Sequence, residues 1–307
     1  MERVNLPARD DYKLSLAVFP VENAKAVIQM VHGMQEHKRR YYQFIEYLNG
    51  FGYSVVISDM RGHGEDAPDL GHIADKHGEK ILIDDQVKIY EYIKEKFPGL
   101  PVYLFGHSMG SIICRVLLQE HSKKYKKVIL SGYVAPNPAS PVAVLLGNIW
   151  SFFGAKKRSK VLSSLALGPY SKAIKNRKTD LDWLSANDEN VQDYINDPLC
   201  GFNFANGSFS ALFHLLNDMR KTRKYVNVNE KLEFLLAGGE DDPCTAGKKG
   251  RANSKKILEK AGFSKIQVAT FKGMRHEILH EKDKDTVYKI MKNFLEDKPI
   301  VQVEGGL

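Results

Sequence analysis

Apolar and polar residues alternate along the first part of the chain in two rhythms. Residues 12–19 switch between them with period two, as a half-buried strand does. Residues 26–31 and 53–58 are short runs rich in β-branched side chains, the pattern of strands buried on both faces of a parallel sheet. Between them, residues 41–50 carry apolar side chains at helical spacing. Residues 79–97 do the same until Pro98-Gly99 stops them. Residues 102–105 predict another strand, Gly106 opens a turn into a helix over 109–121, and 128–130 predict the next strand. This strand–helix rhythm predicts a mostly parallel sheet flanked by helices on both faces.

The rhythm breaks at about residue 135. From there to 227 no strand pattern is visible. Pro136, Pro138 and Pro141 punctuate the start, and helical stretches rich in aromatic residues follow, among them Trp150, Phe152, Phe153, Trp183, Phe202, Phe204, Phe209 and Phe213. Strand-like runs resume at 232–236 and 266–271, and a last helix is expected over 276–295. The expected organisation is one core built from residues 1–134 and 228–307, carrying a helical cap, or lid, over 135–227. No repeat or low-complexity tract interrupts it.

The sharpest chemical signal is Gly106-His107-Ser108-Met109-Gly110, a G-x-S-x-G between a predicted strand and a predicted helix. In that setting the turn is tight enough to push Ser108 out at the carboxyl end of the sheet as a nucleophile. The helix behind it points its positive end at the site. Such a serine needs a base and an orienting acid, in the chain order Ser, acid, His. After the strand at 232–236 comes Gly238-Gly239-Glu240-Asp241-Asp242-Pro243, where Asp241 and Asp242 compete for the acid and Glu240 is a weaker candidate. After the strand ending at 271 comes Gly273-Met274-Arg275-His276, which offers His276 as base. An oxyanion hole needs two backbone N–H donors. Met109 follows the nucleophile, and Met34 lies in the loop after an early strand. Serine chemistry of this kind calls for no cofactor and no metal.

These residues carry a family resemblance. VHGMQEHKRRYYQF resembles the HG-x-x-EH region of the monoglyceride lipases and bacterial lysophospholipase-like serine hydrolases of the α/β-hydrolase superfamily, a group related to serine aminopeptidases. SDMRGHG, FGHSMGS and YINDPLCGF resemble further segments of the same proteins. GMRHEILHE resembles their histidine loop. GGEDDPC resembles their acid loop, and that match places the acid on Asp242, directly before the proline. One departure is visible: Glu65 and Asp66 follow RGHG, where the family often has a serine. The resemblance implies an α/β-hydrolase fold and cleavage of a carboxylic ester, of monoacylglycerol or lysophospholipid type, through an acyl-enzyme. A short-chain esterase or an aminopeptidase-like amide hydrolase are the alternatives. His32 and His63, each in a glycine-rich turn, read as loop braces, and His107 as packing.

Two readings from other classes remain. His276-Glu277-Ile278-Leu279-His280 is an HExxH, which on a helix would place two histidines on one face for zinc. A non-catalytic binding protein on the same fold is the other. Charge adds one feature. The net charge of +8 comes in clusters, at Lys123/Lys124/Lys126/Lys127, Lys156/Lys157/Arg158/Lys160 and Arg220/Lys221/Arg223/Lys224. No aromatic platform or motif accompanies them, so nucleic acid is not the expected partner. The second cluster follows residues 141–153, the most apolar stretch of the chain. That stretch reads either as buried core or as a segment that touches an anionic membrane and guides a lipid to Ser108. The polar first eleven residues predict no secretory leader, and three widely spaced cysteines predict no disulfide framework, so a cytoplasmic location is expected.

Overall fold

The computed structural model describes residues 1–300. The strands β1 (Glu2–Pro7), β2 (Lys13–Phe19), β3 (Ala26–Val31), β4 (Tyr53–Ser58), β5 (Val102–His107), β6 (Lys127–Ser131), β7 (Glu233–Gly239) and β8 (Lys265–Phe271) form one sheet in the order β1-β2-β4-β3-β5-β6-β7-β8. β2 pairs antiparallel with β1 and with β4; every pair from β4 to β8 is parallel. All six residues of β3 and of β4 are buried, which is why these runs are largely apolar on both faces rather than alternating; the polar exceptions, Gln29, Ser54 and Ser58, are buried with them.

Helices cover both faces. α1 (Tyr42–Asn49) and α9 (Lys284–Leu295) pack Phe44, Ile45, Leu48, Tyr288 and Met291 against Ile28 and Met30 on one side. On the other, α2 (Gly78–Lys96), α3 (Met109–His121) and α8 (Gly247–Lys260) lay Leu82, Ile89, Leu117 and Leu258 against Val27 and Leu104. The carboxyl ends of the parallel strands therefore share one edge, where open α/β sheets bind their ligands.

Between β6 and β7 run α4 (Ser140–Phe152), α5 (Lys160–Ala173), α6 (Asp188–Asn196) and α7 (Asn206–Asp218), with no strand among the described residues. α7 is the buried one, and Phe209, Phe213 and Leu215 join the main core. α4 lies directly on it. A Cβ added at Gly147 would stand 2.9 Å from the Phe213 ring and 3.0 Å from the Ser210 Cα, so the glycine permits the close approach.

The polar N-terminus, to which the pattern assigns no element, forms β1, an edge strand whose largely exposed side chains carry charge as an edge should. Two expectations need correction. The last helix begins at Lys284, not at 276. Residues 276–283 are held as loop and a 3₁₀ turn because Glu277 N donates to Leu184 O at 2.7 Å and the Glu281 carboxylate accepts from Arg275 N and Ala186 N. Those long-range bonds outweigh local helix preference. The apolar stretch 141–153 is not core throughout. Phe152 is 84% exposed and Phe153 72%, and Val142, Leu145 and Ile149 face outward with them.

If Gly147 sets the α4–α7 spacing, Gly147→Val should cost about 1–3 kcal/mol by overpacking. Thermal melting should show a Tm lower by a few degrees, and limited proteolysis should cut faster within residues 139–160.

Candidate active site

Ser108 occupies the single residue between β5 and α3. Its φ of 51° and ψ of −119° lie outside the regions ordinary side chains prefer. The turn is held by Ser108 N donating to Ser131 O at 3.1 Å and by Ser111, whose N and Oγ donate to Ser108 O at 2.9 and 2.6 Å. It closes only because its flanks are bare. A Cβ at Gly110 would sit 2.2 Å from Val31 O, and one at Gly106 2.5 Å from Gly110 O.

Ser108, His276 and Asp242 form one hydrogen-bonded line. Ser108 Oγ lies 2.7 Å from His276 Nε2, and His276 Nδ1 lies 3.0 Å from Asp242 Oδ2. Asp242 leaves β7 through Gly239 and is buried; its Oδ1 accepts Cys244 N at 2.8 Å, which fixes the rotamer. Asp241 is exposed and engages the site only through its backbone, donating to Met274 O at 3.0 Å; Glu240 is half-buried. Burial pulls the His276 imidazole down, but the charge and hydrogen bond of Asp242 outweigh it, and the net shift is upward from 6.5. The ring is clamped between Trp183, at 5.0 Å between centroids, and His107, at 4.9 Å. Burial, reinforced by the charge of His276, drives His107 well below 6.5, so it stays neutral beside the His276 ring.

The loop after β3 supplies the other wall. Gly33 presses against the serine: a Cβ there would stand 3.1 Å from Ser108 Cβ. Gly33 N donates to Glu36 Oε1 at 2.5 Å and Gln35 N to His63 Nε2 at 3.2 Å. The Met34 N–H between them has no acceptor among the described residues. Met109 N opens α3, where the first amides have no intrahelical partner. Two free donors thus flank Ser108. His32 Nδ1 donates to Gly33 O at 2.8 Å while its Nε2 accepts from Met60 N at 3.0 Å. Burial pushes both His32 and His63 down to about 3, so both remain neutral braces.

Sequence reasoning gave no role to Glu36 or Arg40, and to Glu277 only that of base in the zinc reading, although all three stand in the quoted motifs. Arg40 bridges them, Nε to Glu36 Oε2 at 3.3 Å and Nη2 to Glu277 Oε2 at 2.7 Å. Tyr41 Oη donates to Glu36 at 2.6 Å and Asn190 Nδ2 to Glu277 at 2.6 Å. All three charges are buried, and burial, with the Glu277 charge, raises the Glu36 carboxyl. The arginine joins the loop after β3 to the residue following His276, a long-range pairing that no local pattern announces.

Beside Ser108 opens a cavity of about 220 Å³ whose far wall is apolar: Ile112, Val134, Leu146, Leu212, Phe213 and Leu216. Two groups of three metal-capable side chains occur among the described residues, His37/Asp197/Cys200 and Asp242/Cys244/His276. His280 belongs to neither. It sits on the 3₁₀ turn rather than one helical turn from His276, so the paired-histidine face of an HExxH zinc site is not formed.

A nucleophile elbow on a mostly parallel sheet, with an acid after β7 and a histidine after β8, defines an α/β-hydrolase. A model of the family described as Hydrolase_4: Serine aminopeptidase, S33 matches residues 22–283. The chain belongs to that family and is a serine hydrolase. Human monoglyceride lipase is 28% identical over 73% of this chain and 68% of its own. The monoacylglycerol lipase of Mycolicibacterium smegmatis is 24% identical over 87% of both. Among solved structures, a thermostable carboxyl esterase from Bacillus coagulans superposes with a TM-score of 0.89 over 96% of this chain and 98% of its own, at 24% identity. A soluble variant of monoglyceride lipase from Saccharomyces cerevisiae gives 0.71 over 97% and 94%, at 21% identity.

The electrostatics predict a separation that NMR of the imidazole protons reads. His276 should titrate above 6.5, while His32 and His63 stay neutral far below it. Asp242→Asn removes the counter-charge but leaves the burial, so the His276 midpoint should then drop below 6.5. An unchanged midpoint would contradict the assigned cause.

Proposed function

We propose that the chain hydrolyses carboxylic esters of long acyl chains, of monoacylglycerol or lysophospholipid type, through an acyl-enzyme on Ser108. The observation that carries this is the Ser108–His276–Asp242 line opening onto an apolar cavity. His276 Nε2 takes the Ser108 proton as Oγ attacks the ester carbonyl; Asp242 holds the ring and stabilises the imidazolium. The Met34 and Met109 amides receive the oxyanion. The tetrahedral adduct collapses, the alcohol leaves with the proton from His276, and water deacylates the serine by the same route. An amide or peptide substrate with a free amino group would want an unpaired carboxylate in the wall. The two carboxylates there, Glu36 and Glu277, are both engaged by Arg40.

Residues 135–227 act in this reading as a cap, with α4 and α5 outermost. Their exposed side chains, Val142, Leu145, Ile149, Phe152, Phe153 and Leu165, make an apolar face. Lys156, Lys157 and Lys160 beside it form no ion pair among the described residues, whereas Lys221 and Lys224 both pair with Asp218 and Lys127 with Asp297. An apolar face rimmed by free lysines suits an anionic lipid surface. No helix of the described residues is long and apolar enough to cross a membrane. The three cysteines are free and buried, in keeping with work in a reducing compartment such as the cytoplasm.

Ser108→Ala should lower kcat by about 10⁴-fold or more and abolish fluorophosphonate labelling; Asp242→Asn should cost about 10³–10⁴-fold and Asp241→Asn little. Since the base must be neutral, kcat/KM should rise with pH through a midpoint above 6.5. Hydrolysis of monoacylglycerols and lysophospholipids, compared with p-nitrophenyl acetate and aminoacyl amides, tests the substrate class. Full activity of Ser108→Ala would refute the mechanism.

Sedimentation with anionic vesicles should carry the protein down at low salt and release it at high salt. Replacing Leu145, Phe152 and Phe153 by Ser should weaken that binding and slow long-chain esters more than acetyl esters.

A further inference from the structure

The inner part of the insertion, residues 182–202, touches the active-site loops at many points that the proposed chemistry does not use. Leu184 O accepts Glu277 N at 2.7 Å, and Asp182 O and Ser185 O accept the Arg275 guanidinium at 2.6 and 3.0 Å. His37, after the loop that carries Met34, bonds Asp197 at 2.8 Å. The densest contact falls on Gln35. This residue holds a φ of +59°, in the left-handed region that a residue with a Cβ enters at a cost. Its carbonyl accepts two hydrogen bonds, from Tyr194 Oη at 2.7 Å and from Gly201 N at 2.9 Å, and its side-chain amide donates to Phe202 O. Tyr194 is buried, with the Arg40 guanidinium 5.0 Å above its ring.

Gln35 is covalently next to Met34, so a fixed Gln35 restrains, through the Met34 torsions, the Gly33–Met34 peptide plane in which the Met34 N–H lies. A left-handed residue in a loop persists only when its surroundings fix it. Here three of the four anchors, the Tyr194 hydroxyl, the Gly201 amide and the Phe202 carbonyl, come from the insertion. The fourth, His63, comes from the core. We infer that Tyr194 is a positioning residue: its hydroxyl, with Gly201, holds Gln35 so that the Met34 amide faces the oxyanion, and the hole is complete only while this part of the insertion is seated. The insertion is then two devices. Its inner segment completes the catalytic framework, and its outer helices α4 and α5 meet the lipid. The inference rests on the reading of Met34 as an oxyanion donor and Ser108 as nucleophile.

The test uses the full chain with Tyr194→Phe, which deletes one hydroxyl and keeps the ring. A soluble ester measures kcat and KM. A trifluoromethyl ketone of matching chain length measures oxyanion stabilisation: Ser108 Oγ adds to its carbonyl carbon, His276 takes the proton, and the oxygen stays as an oxyanion in the hole. The expected result is a kcat lower by about 10- to 100-fold, a KM within twofold of the parent, and ketone affinity weakened by a factor matching the loss in kcat/KM. Asn49→Ala is the stability control. Asn49, at the end of α1 and outside the insertion, donates to Tyr53 O at 2.7 Å without touching Gln35; its loss should lower Tm while kcat and ketone affinity hold. Tyr194→Phe with parental kcat, or with reduced kcat and unchanged ketone affinity, overturns the inference. So does Asn49→Ala reproducing both losses. Failure of the underlying serine reading shows separately, as hydrolysis that survives Ser108→Ala.

Discussion

The site depends on a turn that has no room for a side chain at either flank. β5 must end and α3 begin around one residue, and the carbonyls of Val31 and Gly110 fill the space where a Cβ of Gly110 or Gly106 would go. Ser108 takes a strained conformation as the consequence, and the hydrogen bonds to Ser131 and from Ser111 hold it there. The same closeness brings the start of α3 against the loop after β3. A single constraint thus sets the serine, the Met109 amide and the position of Gly33. The parallel register from β4 to β8 then delivers the Asp242 and His276 loops to the same edge.

Charge inside this edge is arranged so that one imidazole is set apart from the others. His32, His63 and His107 are buried with no carboxylate hydrogen-bonded to the ring, and burial keeps them neutral. His276 is equally buried, yet the Asp242 carboxylate reverses the direction. Arg40 balances two further carboxylates nearby, so the wall of the cavity carries charge that is already committed. In the proposed reading the acyl chain of the ester meets an apolar lining there, beside Ser108.

The helical insertion divides by its contacts. α7 is core, α6 and the segment after it are bonded to the loops that carry Met34 and His276, and α4 and α5 turn apolar side chains outward. Buried hydrogen bonds in a low-dielectric setting resist separation, so movement of the inner segment would disturb the site itself. Movement of the outer helices would change the apolar wall of the cavity, to which Leu146 of α4 and Leu167 of α5 belong.

Much was legible in the sequence because it is local. Seven of the eight strands, the helices at α1, α2 and α3, and the strand–G-x-S-x-G–helix unit follow from periodicity and from glycines at fixed offsets, which need no distant partner. Ser108, Asp242, His276, Met34 and Met109 were named from motifs, and the fold brings all five together. Position after a strand left Asp241 and Asp242 in competition until the acid-loop resemblance chose Asp242; the physical difference between them is tertiary, since one residue's step turns the Asp242 carboxylate inward onto His276 and the Asp241 carboxylate to solvent. The charged β1 edge, the loop over 276–283, the Arg40 bridge and the clamp on Gln35 were invisible for the same reason. The bonds that decide the Arg40 bridge and the Gln35 clamp, Arg40 to Glu277 and Tyr194 to Gln35, span 237 and 159 positions, and hydrogen bonds and ion pairs across such separations leave no period in the chain. The sequence determined which residues can do chemistry; the tertiary structure decided which of them are buried, paired and aimed.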